Sequence, residues 1–425
     1  LIWVLGISFL TFLVLGVPVA FVLGLTSLVG LLYLGHIPLL LVPKQMFSGV
    51  DSFPLLAVPF FILAGNLMNT GGITKRLIHF CKILLGHVRG GLSLVNVVAS
   101  MFFGGITGAA VADTSALGTI LIPAMVKEKY DRNFSAAVTA ASSTVGPIIP
   151  PSIPMVILGT VGEVSIGALF LAGVIPGALV GLSLLAVAYV ISVRNNYPKE
   201  KRASVKEFFY GLKDAVLALL MPAIIMGGIL GGIFTPTEAA VVAVFYAFLV
   251  SVLIYREIRW KDIPKIFIDS VVTTSIIMLV IANSAILGWI LANQKIPQVV
   301  AEIFLSISSN KWVILLLINL FLLFLGTFME TTASLIILTP ILLPLAVKLG
   351  IDPIHFGLVM VLNLVIGLIT PPLGVCLFIA CSIARITLED IVKAIAPFLI
   401  AAIAVLFIVT YIPELVLWLP RMAIK

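Results

Sequence analysis

Apolar runs of sixteen or more residues follow one another through this chain, near residues 1–16, 17–34, 53–68, 133–160, 167–193, 212–232, 233–256, 266–292, 354–383 and 393–418. A helix needs about 20 apolar residues to cross the hydrocarbon of a bilayer, and a spanning segment that is not a closed barrel must be helical to satisfy its own backbone. Composition agrees with this reading: 61% of the 425 residues are hydrophobic and 10% charged, where soluble domains carry about a quarter charged. Mean hydropathy is +1.27. No long segment is polar enough for a separate soluble domain, so the expected fold is an all-α polytopic membrane protein of about ten crossings.

The remaining charge lies between the runs. Lys and Arg number 25 against 18 Asp and Glu, a net charge of +7. In a soluble protein that balance would suggest nucleic acid; confined to short loops it marks topology, with membrane lipid and no nucleic acid as the partner. Arg194, Lys199, Lys201, Arg202 and Lys206 mark one loop and Arg256, Arg259, Lys261 and Lys265 another, two crossings apart and both cytoplasmic by the positive-inside rule. The same count places residues 73–89 in the cytoplasm and leaves Arg421 and Lys425 outside, against the rule. Within 73–89, Ile73, Leu77, Phe80, Leu84 and Val88 recur at helical spacing opposite Lys75, His79 and Lys82. That pattern predicts an amphipathic interfacial helix, either a lever for a moving part or a plain surface anchor. Cys81, Cys376 and Cys381 have no metal-type spacing and predict no disulfide framework. Leu1 opens the chain without a charged leader or cleavage site, so no removable signal peptide is expected, and a few upstream residues are.

Two further apolar stretches, 91–126 and 311–347, are too long for one helix. Each is interrupted midway by small and polar residues: Gly104, Gly105, Thr107 and Gly108 through Asp113, Thr114 and Ser115, and Gly326 and Thr327 through Glu330, Thr331 and Thr332. Each is read as a re-entrant hairpin, which requires its tip to be covered by protein or to face water. The chain also repeats. Gly146-Pro147-Ile148-Ile149-Pro150-Pro151 matches Gly367-Leu368-Ile369-Thr370-Pro371-Pro372 at an offset of 221, and Asp131 matches Asp352. At 217, Asp113 matches Glu330 and Asn66 matches Asn283, so one extra helical turn is expected between Pro340 and Asp352. The halves are then 1–195 and 212–425, joined by a basic linker at 196–211. Each holds about five transmembrane helices, one hairpin and a Pro-broken helix, at 133–160 or 354–383. Five crossings is odd, which predicts two inverted-topology repeats, the plan of many secondary transporters.

In such a plan the chemistry sits at the hairpin tips and helix breaks, where free N–H groups face an anion and free carbonyls a cation. Pro147, Pro150, Pro151 and Pro154 cannot share an unbroken helix, and Pro371 and Pro372 interrupt the second half in the same way, beside Thr370. Asp113 and Glu330 are charged groups at membrane depth, functional by default; Asp113, Thr114 and Ser115 could equally cap the second arm of their hairpin. Asn66, Asn283, Ser142, Ser143 and Asn363 are either site contacts or glue between helices. Glu238, following Pro236 and Thr237, either faces an external entrance or caps its helix. Oxygen-rich groups of this kind suit a hard cation such as sodium. No G-x-x-x-x-G-K-[ST], H-E-x-x-H or G-x-S-x-G is present, and His36, His79, His87 and His355 are scattered near loops. An ATP-driven motor or a hydrolase is therefore not expected. A passive anion channel is the competing reading.

Four strings carry a family resemblance: F-F-G-G-I-T-G-A-A-V-A-D-T-S-A-L-G from Phe102 to Gly118, G-P-I-I-P-P-S-I-P from Gly146 to Pro154, G-I-F-T-P-T-E-A-A from Gly232 to Ala240, and G-L-I-T-P-P-L-G from Gly367 to Gly374. Together they resemble the large membrane (M) subunit of a tripartite ATP-independent periplasmic (TRAP) transporter, the DctM-like family, over nearly the whole chain. The resemblance implies a multi-pass protein of the bacterial cytoplasmic (inner) membrane. It implies uptake of an organic acid, sialic acid or a C4-dicarboxylate, coupled to Na+, with no organic cofactor. Its implied partners are a small membrane (Q) subunit and a periplasmic substrate-binding protein (P). Related divalent-anion and sodium symporters imply an elevator mechanism; a sodium/anion symporter working without a binding protein is the nearest alternative. The family's ion and substrate sites, carried onto this sequence, fall near Gly104 to Ser115, Ser142 to Pro151, Gly326 to Thr332 and Asn363 to Pro372.

Overall fold

The computed structural model describes residues 1–308 and 310–423, and these are helical almost throughout. The first half holds α1 (Ile2–Val14), α2 (Val19–Leu34), α3 (Leu41–Val50), α4 (Ala57–Thr70) and α5 (Ile73–Leu85). The hairpin α6 (Gly91–Thr107) and α7 (Ala110–Lys127) follows, then the broken pair α8 (Arg132–Ser143) and α9 (Ile153–Val161), and the long α10 (Ile166–Arg194). The second half holds α11 (Val205–Leu230), α12 (Pro236–Phe248), α13 (Ile263–Asn293) and α14 (Ile296–Ile307). A second hairpin, α15 (Lys311–Gly326) and α16 (Thr331–Lys348), leads to a second broken pair, α17 (Pro353–Gly367) and α18 (Val375–Ala384), and then to α19 (Leu388–Tyr411) and α20 (Glu414–Ala423). Among the described residues eight helices are long and apolar enough to cross a membrane, or nine if α14 and α15, bent by 118°, make one span.

The count differs from ten for physical reasons. α1 and α2 are 13 and 16 residues long, and the two broken crossings are each split by their prolines into short pieces. The run at 393–418 is also interrupted. α19 begins earlier, where Thr387 and Asp390 form a capping box, and stops before Pro413, which cannot donate the next helical hydrogen bond. Arg421 then pairs with Glu414 at 2.9 Å; Lys425 lies outside the described residues. The amphipathic segment is helical as expected, with Ile73, Leu77 and Phe80 buried and Lys75 and His79 exposed. Its counterpart α14, and the short α3, were not expected from the sequence because Pro, Gln and charged residues break their apolar pattern. All three cysteines are buried and free.

Aspartate caps stand at the matched positions of the two halves. Asp131 and Asp352 each cap the first arm of a broken pair, accepting from Phe134 N and Ile354 N at 2.8 Å. Glu238 closes a capping box with Thr235 at the start of α12. α7 and α16 are both 18 residues long and lie 221 apart, which pairs Pro123 with Pro344. Alignment on helix ends thus puts the change of offset ahead of α16, whereas pairing Pro123 with Pro340 keeps it between Pro340 and Asp352.

Packing crosses between the halves. α4 lies on α12 and α13, and α2 on α13; α7 runs between α8 and α18, and α16 between α9 and α17. One polar node ties α5 to the second half. The Arg76 guanidinium lies 3.4 Å from Asp214 and 3.2 Å from Glu257, and 3.9 Å over the Tyr255 ring. Lysine can supply the charge but not the planar fork. Arg76→Ala should lower stability by about 1–2 kcal/mol, the sum of two partly screened ion pairs and one cation–π contact. Thermal unfolding in detergent would show it, with Arg76→Lys recovering part of the loss; an unchanged Tm in both variants would contradict this.

Candidate functional site

The first hairpin turns over in two residues. α6 ends at Thr107, Gly108 takes a left-handed φ of +63°, and α7 starts at Ala110. A side chain at Gly108 would lie 2.7 Å from the Pro151 carbonyl oxygen, so this tip sits directly on the first helix break. Deeper in, the backbones of Gly104 and Gly146 touch: a Cβ on Gly104 would collide with Gly146, and one on Gly146 with the Asp113 carboxylate. The second half repeats the arrangement, with Gly326 and Gly367 in backbone contact. There the Thr327 carbonyl accepts from Gly374 N at 3.4 Å. Each tip is thus covered by the break of its own half.

In the first break the peptide group between Pro150 and Pro151 is cis, as is that between Pro371 and Pro372 in the second. Ser152 caps α9 through Met155 N and donates to the Pro147 carbonyl at 2.5 Å. Pro150 has no N–H to return to Gly146, whose carbonyl receives no backbone hydrogen bond. Beside it lies Asp113. Its carboxylate is buried, Oδ1 accepts the Thr107 hydroxyl, and Oδ2, packed against Gly146, has no partner among the described residues. Buried polar atoms are rarely left so, and an oxygen without a donor invites a cation.

The Asp113 side chain does not cap α7: Ala109 is the N-cap and Asp113 stands within the first turn. Glu330, by contrast, is exposed and does cap α16, accepting from Ala333 N at 3.1 Å. The two carboxylates therefore stand in different local settings. By helix register the counterpart of Asp113 is Ser334, whose buried hydroxyl is likewise unpartnered, as are Thr331 Oγ1 and Asn363 Oδ1. Thr114 is buried and bonds back to Ala110, Ser115 is exposed, and Thr332 is buried. Thr370 bonds back to Ile366 at 2.9 Å.

Other predicted residues lie elsewhere or are already engaged. Asn66 donates to Ser270 at 2.8 Å, joining α4 to α13, and Asn283 donates to the Ala20 carbonyl at 3.0 Å, joining α13 to α2. Both act here as links between helices. Ser143 bonds to its own helix, while Ser142 accepts from Ser100 and donates to Asn96. Asn96 was missed by sequence reading, as was Asn319, which accepts from Asn363 at 2.7 Å and donates to Thr410 at 3.0 Å. These asparagines pin each hairpin's first arm to the broken helix beside it. The available signal was a lone Asn about two turns before each tip glycine. Among the described residues no three His, Cys, Asp or Glu side chains cluster as a metal site would need.

Residues 6–415 match the family model described as the tripartite ATP-independent periplasmic transporter, DctM component. The chain belongs to this family. It is 44% identical to the sialic acid TRAP transporter large permease protein SiaM of Vibrio cholerae, over 96% of this chain and 95% of that one. It is 41% identical to the C4-dicarboxylate TRAP transporter large permease protein DctM of Pseudomonas aeruginosa, over 89% and 88%. It is also 41% identical to the isethionate TRAP transporter permease protein DctMQ of Oleidesulfovibrio alaskensis, where 96% of this chain covers 64% of the longer relative. The protein is thus a TRAP large permease, a multi-pass membrane transporter subunit rather than an enzyme. The family works as one part of a tripartite system.

The glycine contacts give a direct test. Gly146→Ala would drive a methyl group into Asp113 and Gly104, an overpacking cost of about 1–3 kcal/mol. Transport should fall at least tenfold in correctly inserted protein, whereas Gly227→Ala, which meets nothing within 4 Å, should transport normally. Equal activity of the two variants would show that the close approach is incidental.

Proposed function

We propose that this TRAP large permease couples inward sodium movement to uptake of a small organic anion, of the sialic acid or C4-dicarboxylate class. A periplasmic binding protein delivers the substrate, and a small membrane subunit completes the complex. The observation that carries the reading is the Asp113 carboxylate, buried at the first tip with one oxygen unpaired beside the free carbonyl of Gly146. A lone buried carboxylate is costly, and a sodium ion is the hard, oxygen-seeking partner that would offset it. Sodium is here co-transported cargo. In the second half, Thr331 and Ser334 in the first turns of α16 offer neutral oxygens, and the unpaired Oδ1 of Asn363 on α17 is a further one. The substrate's acid group would meet the N-termini of α9 and α18, which begin at the two breaks.

The substrate class rests on the relatives' names, one a sialic acid and another a C4-dicarboxylate transporter. An isethionate relative shows the same scaffold paired with a sulfonate, so the shared requirement is a small organic anion. The motion is an elevator: α6–α9 and α15–α18 move as one block against α2, α4, α12 and α13, the halves being inverted in the membrane. What supports this is the packing, in which each hairpin touches both broken helices and the other four helices lie against one another across the halves, with α6 on α4 and α16 on α13 as the seam between the two groups.

Proteoliposomes holding this chain, its small subunit and the binding protein should take up substrate under an inward sodium gradient, with no effect of ATP. Asp113→Asn should raise the sodium concentration for half-maximal uptake at least tenfold, about 1.4 kcal/mol of binding, while Asn66→Ala should alter folding stability more than sodium dependence. Full-rate uptake with potassium in place of sodium would reject the coupling. An unchanged sodium dependence in Asp113→Asn would reject the site.

A further inference from the structure

Far from the tips, a cavity of about 1280 Å³ opens between the outer face of α5, the basic linker and the start of α11. The linker is not loose there. Gly90 N donates to the Pro198 carbonyl at 3.0 Å, Glu200 N to the Gly86 carbonyl at 2.8 Å, and Arg89 to Asn196 at 2.6 Å. The carboxylates lining the cavity are all engaged. Glu200 pairs with Lys82 at 2.6 Å, Asp214 with Arg76 at 3.4 Å, and Glu207 accepts the Ser204 N–H at 2.6 Å in the capping box of α11. Four lining bases are not engaged. Among the described residues Lys201, Arg202, Lys206 and Lys213 have no carboxylate within 4.0 Å.

Four cations without an ion-pair partner, against one lining carboxylate, Glu207, that has none either, leave the cavity net positive, which matches an anion with several oxygens; Arg and Lys together suit phosphate. The neighbouring surface narrows the choice. Val205, Phe209 and Tyr210, on the first turns of α11, are 75%, 63% and 65% exposed, and Tyr210 also lines the cavity. α11 is itself a candidate membrane span, so these exposed apolar groups lead from the cavity along a helix apolar enough to enter the bilayer. A soluble phosphate would use the cations and leave this apolar path unexplained. We propose that the cavity is a phospholipid site, holding the phosphate headgroup of an anionic lipid of the cytoplasmic leaflet with its acyl chains running past Phe209 and Tyr210. The lipid would brace the linker against α5 and α11 at the point where the two halves of the chain join.

Native mass spectrometry of the full purified chain, titrated with phosphatidylglycerol and with phosphatidylethanolamine of matched chains, tests this. Wild type should retain phosphatidylglycerol preferentially. The triple variant Lys201→Gln, Arg202→Gln, Lys206→Gln should lose about a hundredfold in its affinity, at roughly a factor of five per cation. The charge-keeping pair Lys201→Arg, Lys206→Arg should bind as wild type, which separates lost charge from lost folding. A control triple in the other basic loop, Arg256→Gln, Arg259→Gln, Lys261→Gln, should lose less than threefold. No preference between the two lipids, or equal losses in both triples, would overturn the site. Displacement of the lipid by millimolar inorganic phosphate, with equal thermal stabilisation by phosphate alone, would overturn the lipid assignment in favour of a soluble anion.

Discussion

Backbone that leaves helical geometry inside a membrane must find its cover within the protein, and here glycine on glycine provides it. The tips at Gly108–Ala109 and Thr327–Glu330 and the breaks after Ser143 and Gly367 all interrupt helical bonding. Lipid offers none of them a partner. Gly104 against Gly146, and Gly326 against Gly367, bring each tip onto its break closely enough that no side chain fits between. What remains unpaired is then shielded from lipid and gathered in two places. The same contact that makes the irregular backbone tolerable also brings the Asp113 carboxylate against the free carbonyl end of the first break.

That interlock depends on the rest of the chain holding the hairpins in register. Asn96 with Ser142 and Thr139, and Asn319 with Asn363, fasten each first arm to its broken helix by hydrogen bonds within apolar surroundings. Such bonds contribute about 0.6 kcal/mol each on average in a membrane protein, so their value lies more in register than in stability. Outside the interlock, Asn66 and Asn283 join α4 to α13 and α13 to α2. Ser251 reaches the Leu67 carbonyl at 3.2 Å, tying α12's continuation to α4. The buried asparagines thus mainly fasten helices, while the unpartnered oxygens of Asp113, Thr331 and Ser334 lie in the helices that begin at the tips.

This division explains what could be read from sequence. The apolar runs, the interrupted hairpins, the proline breaks and the α5 amphipathic helix were legible, because each is a local pattern with a direct physical cause. The family was legible from four strings around those same breaks. Exact register was not. Asp113 and Glu330 look equivalent when charge is the guide, whereas alignment on the ends of two helices of equal length pairs Asp113 with Ser334; the prolines do not decide, since Pro123 meets Pro340 in the first register and Pro344 in the second. The role of each asparagine was hidden for another reason. Asn66, Asn96, Asn283 and Asn319 are alike in an apolar run, and only the partner across the interface separates a link from a ligand.

The unlike residues at the two tips have a consequence for the proposed coupling. A sodium ion beside Asp113 is neutralised by the carboxylate, whereas one held by Thr331, Ser334 and Asn363 is balanced by dipoles alone and leaves a net positive charge in a medium of low dielectric. At the second tip the natural compensating charge is the acid group of the substrate. Cation and anion would then raise one another's affinity there by the same factor, since coupling between two bound ligands is reciprocal. Under the proposed coupling the first tip would need no such help and could fill before substrate arrives. The difference of one charge between the tips would then make one ion site the protein's own and leave the other to be completed by the cargo.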